Sequence, residues 1–151
     1  MKTGIAFLNN GTIDMANHKT VYIGDYVTLG GNSRIITHYP IRSFREDSKI
    51  KIGDYTYIGY GCLILPGVKI GNLCIIGAGS VLSSDIPDFH TAAGNPCKPI
   101  RKRTWDELEH YLRIFYTRCN HKKTMGTSEP LPLSADQEDN IKQLRDTYHA
   151  S

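Results

Sequence analysis

Residues 52–87 read IGDYTYIGYGCLILPGVKIGNLCIIGAGSVLSSDIP, and the stretch repeats with a period of six. An aliphatic residue opens each block: Ile52, Ile58, Ile64, Ile70, Ile76 and Leu82. Four of these are followed by glycine, namely Gly53, Gly59, Gly71 and Gly77. Four places after each aliphatic stands a smaller or branched residue: Thr56, Cys62, Val68, Cys74, Ser80 and Ile86. Alternate side chains of an extended segment share a face, so positions one and five of each block are expected to point inward. Position two is expected to turn the corner, which glycine does at little steric cost. Three blocks then close a triangular coil, and the next coil stacks about 4.8 Å above it. Ile52 falls beneath Ile70, Ile58 beneath Ile76 and Ile64 beneath Leu82. This is the period of a parallel β-helix, an all-β fold. An antiparallel all-β domain with regular turns is the competing reading, and the persistence of one phase over so many blocks argues against it.

Working outward, blocks 23–28 and 29–34 keep the same phase, and a third begins at Ile35. Residues 1–22 keep it weakly: Val21 falls at position five of a block from Asn17, while Ile5, Phe7 and Ile13 look strand-like. An irregular first coil is expected there. Between Ile35 and Ile52 the phase slips by one residue, because seventeen positions separate them. Residues 46–51 still fit a face with Ile50 inward, which leaves a short excursion at about 40–45 carrying Arg42, Phe44 and Arg45. His38 stands just before it. Loops leaving a rigid scaffold commonly line functional sites.

Beyond Pro87 the repeat ends, and residues 88–103 are extended and turn-rich, with Pro96 and Pro99. Thr104 and Glu107 make a capping box, and Trp105, Leu108, Leu112 and Phe115 recur at helical spacing. Such a helix is expected to cover the open end of the last coil, whose edge otherwise invites pairing. Residues 122–133 read as a linker, and a second helix is expected from Ser134 with Ile141, Leu144 and Tyr148 on one side. Its apolar face is thin and needs a partner surface. The expected division is a β-helix domain at 1–103 and a C-terminal helical extension at 104–151.

The 151 residues suffice for one domain, and 40% apolar residues with 14 glycines suit a folded, turn-rich chain. No apolar run approaches the roughly 20 residues that span a bilayer. The N-terminus lacks the long apolar core of a signal peptide, so a cytoplasmic protein is expected. Cys62, Cys74, Cys97 and Cys119 show no metal-ligand spacing, and the first two fall at inward positions. The net charge of +3, with no aromatic residues among the basic run, gives no reason to expect a nucleic-acid partner.

The repeat together with the segment AAGNPCKPIR, residues 92–101, resembles the hexapeptide-repeat acetyltransferases. The resemblance is to the branch that holds maltose and galactoside O-acetyltransferases and capsule or lipopolysaccharide O-acetyltransferases. It implies a left-handed parallel β-helix, an exception to the usual crossover hand. It further implies a homotrimer that binds acetyl-CoA between subunits and acetylates a small-molecule or glycan acceptor. The histidine that the family uses as general base before its inter-coil loop matches His38 in IITHYP. Chemistry points the same way, since acyl transfer from a thioester to a hydroxyl needs a base effective near neutral pH.

The resemblance also implies the other site residues. Asn9, or its neighbour Asn10, matches an acceptor contact of the first coil, although paired asparagines also suit a plain turn. Tyr57 takes the place of a tryptophan that the sugar enzymes often carry, and Arg42 lies on the excursion near the acceptor. Acetyl-CoA is expected along Gly59, Tyr60, Gly77, Ala78 and Ser83, where small residues let it approach the backbone. Lys98 and Arg101 are expected to face its phosphates. Ser84 replaces a residue that is frequently basic in the relatives. The other histidines, His18, His90, His110, His121 and His149, share no spacing that would gather them, and no metal is expected. Two other readings stay open: transfer to serine or to a nucleotide-linked amino sugar, and a non-catalytic β-helix scaffold.

Overall fold

A computed structural model of the chain describes residues 6–7, 12–13, 21–37, 49–123 and 132–151. The contacts divide it into two compact units, Met1–Lys102 and Arg103–Ser151. In the first unit the chain runs through β1 (Ala6–Phe7), β2 (Thr12–Ile13), β3 (Val21–Ile23), β4 (Thr28–Leu29), β5 (Arg34–Ile35) and β6 (Ile50–Ile52). It continues through β7 (Tyr57–Ile58), β8 (Leu63–Ile64), β9 (Lys69–Ile70), β10 (Ile75–Ile76) and β11 (Val81–Leu82). It closes with β12 (His90–Gly94) and β13 (Cys97–Lys102). Successive strands pass to three sheets in turn. The first sheet is ordered β1-β4-β7-β10-β12-β13, the second β11-β8-β5-β2 and the third β3-β6-β9. All pairings are parallel except that of β12 with β13.

The hexapeptide phase explains this core. Position-one residues Ile52, Ile58, Ile64, Ile70, Ile76 and Leu82 are buried and stack in register, Ile58 on Ile76 and Ile64 on Leu82. Position-five residues Thr56, Cys62, Val68, Cys74, Ser80 and Ile86 are buried beside them. Hydroxyls at position five, including Ser33 of an earlier coil, donate to carbonyls of their own or the next coil. Thr56 Oγ1 donates to Gly71 O at 2.7 Å, Ser33 Oγ to Gly59 O at 2.9 Å and Ser80 Oγ to Gly77 O at 2.6 Å. A small hydroxyl or thiol therefore fits position five because it satisfies a buried carbonyl that an alkyl group would leave unpaired.

The corners correct the expectation for glycine. The left-handed residue of each turn is position four: Tyr26, Asn32, Tyr55, Gly61, Gly67, Leu73 and Gly79 all have positive φ. Position two instead needs glycine for lack of room. A Cβ on Gly53 would come within 2.5 Å of the Gly71 carbonyl carbon, and one on Gly59 within 2.6 Å of Ala78 N. The stacking of coils, not backbone conformation, selects glycine there.

The registers also correct the reading of the excursion. Later coils pair residues 18 apart, such as Ile52 with Ile70, whereas Ile23 pairs with Ile52 and Ile35 with Ile64, 29 apart. Eleven residues, not a short loop of about six, are thus inserted between Ile35 and Ile52. Ile50 is inward as expected, yet it belongs to β6 opposite Val21, and β8 follows β5 directly in the second sheet. The irregular first coil is borne out: Phe7 pairs with Leu29 and Ile13 with Ile35, 22 apart, so four extra residues precede Val21.

The second unit is a pair of helices, α1 (Trp105–Lys123) and α2 (Ala135–Ala150). Thr104 and Glu107 exchange the expected capping bonds, at 3.2 and 3.4 Å, and Ser134 caps α2 reciprocally with Gln137. The buried stripe of α1 is Trp105, Leu108, Leu112 and Tyr116. Tyr116 takes the place expected for Phe115, which is only half-buried, because three turns beyond Trp105 the helix has rotated one residue onward. The thin face of α2 finds its partner surface on α1. Ile141 is buried, Arg113 binds Glu138 through both guanidinium arms (2.9 and 3.2 Å), and Asn140 Nδ2 donates to Tyr116 Oη at 2.6 Å.

Candidate ligand corner

Seven of the expected site residues lie on the first sheet or on the corner that follows it. Tyr57 sits in an outward row of that sheet, between Thr28 of β4 and Ile75 of β10, and the row continues to Thr91 and Arg101. Gly59, Tyr60, Gly77 and Ala78 form the corner after β7 and β10. Tyr60 O accepts from Gly79 N at 2.7 Å, so the two coils are stitched together there. Tyr60, Gly61, Ala78 and Gly79 are exposed, and a Cβ on Gly61 or Gly79 would meet nothing within 4 Å.

Lys98 and Arg101 are three residues apart in β13, which in a regular strand places them on opposite faces. An irregularity in the pairing changes this. Lys98 pairs with Ala93, Pro99 with Ala92 and Arg101 with Thr91, leaving Ile100 without an opposite residue. The bulge brings Arg101 round to the face that Lys98 occupies, as bulges do. Both side chains are exposed, and both stand at the end of the sheet that carries Tyr57. Ser83 is not part of this group, because it follows β11 on the second sheet, one corner further round. Asn9, Asn10, His38 and Arg42 lie outside the described residues.

The chemical character of the corner emerges by comparison with the corner between the third and first sheets. There, among the described residues, position three carries Asp25, Asp54, Asn72 and Asp88, and the last three each reach back to the coil before. Asp54 Oδ1 accepts from Asp25 N, Asn72 Oδ1 from Asp54 N and Asp88 Oδ1 from Asn72 N, each at 2.8 Å. The ladder takes up the position-three N–H groups of Asp25, Asp54 and Asn72 along that corner. On the corner after the first sheet the same position holds Gly31, Tyr60 and Ala78, none of which offers an acceptor. Among the described residues, the N–H groups of Tyr60 and Ala78 have no hydrogen-bond acceptor. The site is a run of unfilled backbone donors, one coil apart, bordered by small exposed residues. Sequence reading selected these residues for their size and missed the donors; the signal was the Asx pattern at position three of one corner and its absence from the other.

Beneath this corner lie two thiols. Burial raises the pKa of Cys62 and of Cys97, against the lowering effect of hydrogen bonds that include Ser80's. Cys62 Sγ donates to Gly77 O at 3.3 Å. Both are held as neutral thiols and are poor nucleophiles. Among the described residues, no three His, Cys, Asp or Glu side chains gather where they could hold a metal ion.

Six-residue blocks stacked in three parallel sheets define a hexapeptide-repeat protein. Residues 49–84 match the family described as bacterial transferase hexapeptide (six repeats). A maltose O-acetyltransferase from Clostridium difficile is 32% identical, with a TM-score of 0.53 over 67% of this chain and 67% of that one. This chain belongs to the same hexapeptide-repeat family. The galactoside O-acetyltransferase of Lactococcus lactis is 31% identical over 72% of this chain and 56% of its own length. A galactoside acetyltransferase solved in complex with coenzyme A is 29% identical, covering 82% of this chain and 57% of that one, with a TM-score of 0.54. The chain spans little more than half the length of the curated relatives that it matches.

Proposed function

We propose that this protein is an acetyl-CoA-dependent O-acetyltransferase acting on a hydroxyl of a sugar or sugar-containing acceptor. The carrying observation is the pair of unfilled N–H donors at Tyr60 and Ala78, on a corner lined by small exposed residues. Amide carbonyls of a pantetheine arm lying along the corner accept from such donors at little cost, because the rigid coil has already fixed them. Lys98 and Arg101, brought to one face by the bulge, meet the phosphates with charge-assisted bonds. Kinship with galactoside and maltose O-acetyltransferases supports the sugar acceptor.

In the mechanism, His38 accepts the proton of the acceptor hydroxyl as its oxygen attacks the thioester carbonyl carbon. Backbone N–H groups stabilise the resulting oxyanion, a contribution worth about 3–4 kcal/mol where such donors have been removed. Collapse of the tetrahedral intermediate breaks the carbon–sulfur bond, and the imidazolium returns its proton to the departing thiolate. Holding both substrates together supplies proximity, so no acyl-enzyme is required. The neutral Cys62 and Cys97 thiols take no part. Tyr57, on the outward row, contacts the acceptor or the pantetheine arm, and Asn9 and Arg42 complete the acceptor side.

We further propose that the coil is left-handed and that three copies assemble with sites between them. The outer side of the second sheet supports the assembly. Leu63, Leu65, Val81 and Ile36 lie there half-buried beside the exposed Arg34, whereas the third sheet carries Lys51 and Lys69 at the places of Leu63 and Val81. Free cysteines accord with a cytoplasmic setting.

The donor corner is tested by Ala78→Asn. An asparagine there places its side-chain oxygen on the Tyr60 N–H, as Asn72 does on Asp54. The Michaelis constant for acetyl-CoA is expected to rise by roughly tenfold, the cost of losing one good hydrogen bond, with a smaller change in turnover. An unchanged Michaelis constant contradicts the assignment.

A further inference from the structure

The outer row of the third sheet differs from those of the other two. In register across adjacent strands stand Tyr22, Lys51 and Lys69. Tyr22 is 63% exposed, and both lysines are exposed, as is Lys49 beside the same strand. Lys51 Nζ lies 5.9 Å from the centre of the Tyr22 ring. The matching rows elsewhere read Thr28, Tyr57 and Ile75 on the first sheet and Arg34, Leu63 and Val81 on the second.

Like charges directly opposite each other on neighbouring strands are destabilising. Lys51 and Lys69 are such a pair, and among the described residues neither meets a carboxylate within salt-bridge reach. Each of the described acids nearest the row spends one oxygen on a backbone N–H rather than on a lysine. Asp85 Oδ1 accepts from Lys69 N at 2.8 Å, while Asp54 and Asp88 each accept from a backbone N–H in the corner ladder. The row therefore sets two exposed lysines directly opposite each other beside an exposed aromatic ring, with no ion pair to either among the described residues.

We propose that this face binds an anionic glycan, with the sugar rings on Tyr22 and their carboxylates on Lys49, Lys51 and Lys69. An aromatic face suits a sugar ring, and lysines one strand apart, about 4.8 Å, suit acidic groups repeated along an extended chain. This rests on the sugar-acceptor reading and adds to it: the face grips a charged polymer at a distance from the donor corner.

The test uses the full chain. Binding of oligogalacturonate is measured by titration calorimetry against neutral dextran, phosphatidylglycerol vesicles and duplex DNA. Wild type is expected to bind oligogalacturonate and not dextran. Lys51→Glu with Lys69→Glu is expected to weaken that binding at least about tenfold, as for lost contacts to a charged group. Tyr22→Ala is expected to weaken it also, and Lys51→Gln with Lys69→Gln serves as a milder variant should charge reversal disturb the fold. Absence of oligogalacturonate binding by wild type overturns the proposal, as does binding that the lysine variants leave unchanged. Equal or tighter binding of vesicles or DNA overturns the choice of glycan. Acetyl transfer from acetyl-CoA to a small neutral galactoside, measured on the same proteins, is expected to be unaffected. Failure of that transfer in wild type counts against the acetyltransferase reading and not against the glycan-binding face.

Discussion

The two places where glycine recurs in a block answer to different forces, and substitutions separate them. At position two a methyl group collides with the next coil, so Gly53→Ala is expected to cost about 1–3 kcal/mol, the usual range for overpacking. At position four, Gly61 has a φ of +65° and open space around it. Asparagine tolerates that conformation, and Asn32 already adopts it in the preceding coil. Gly61→Asn is therefore expected to cost less than about 1 kcal/mol. Thermal unfolding of both variants decides; equal losses would show that one cause governs both positions. The inward positions were legible in the sequence because burial follows directly from the alternation of side chains. The division of labour between the glycines was not, since a clash between coils depends on a neighbour 18 residues away.

At the scale of elements, the C-terminal helix pair holds together through a charged cluster that responds to acid. Hydrogen bonds from Arg113 and from the Trp105 indole lower the pKa of Glu109, and Arg113 also grips Glu138. A carboxylate whose folded pKa lies below its unfolded value contributes stability above the unfolded pKa and loses it as pH falls through the folded one. The helix pair is therefore expected to loosen in acid, below the ordinary glutamate range near pH 4. Trp105, the one tryptophan of the chain, reports on it through its fluorescence, because its ring lies 5.8 Å from that of Tyr148 on α2. Glu109→Gln should remove most of the change below about pH 4; an unaltered acid transition would assign it to other carboxylates. The sequence showed the first helix through its capping box and apolar spacing, and the second through its apolar spacing from Ser134. It did not show that α2 docks on α1, because Arg113 and Glu138 are 25 residues apart and carry no local pattern. The bulge in β13 was hidden for the same reason: it exists only in the pairing with β12.

At the scale of the whole molecule, the proposal places the sites between three copies. Leu63 and Val81 on the outer side of the second sheet make this testable. Val81→Lys is expected to shift the protein from trimer towards monomer in light scattering and to abolish acetyl transfer, while its far-ultraviolet spectrum stays unchanged. Full activity in a monomer would rule out sites shared between subunits. The repeat announced the coil, and the tail at 92–101 announced the family. The eleven-residue insertion after Ile35 was read too short, since seventeen positions mimic one slipped turn when the stacking partner is unknown.

The central claim is acetyl transfer with His38 as the base, and steady-state thiol release from acetyl-CoA with a galactoside acceptor tests it most directly. His38→Ala is expected to lower turnover by about 10²–10⁴-fold and to leave acetyl-CoA binding, followed by titration, nearly unchanged. The acid limb of the turnover profile should vanish with the imidazole, since only a protonated histidine fails to accept a proton. Turnover close to wild type in His38→Ala would contradict the account.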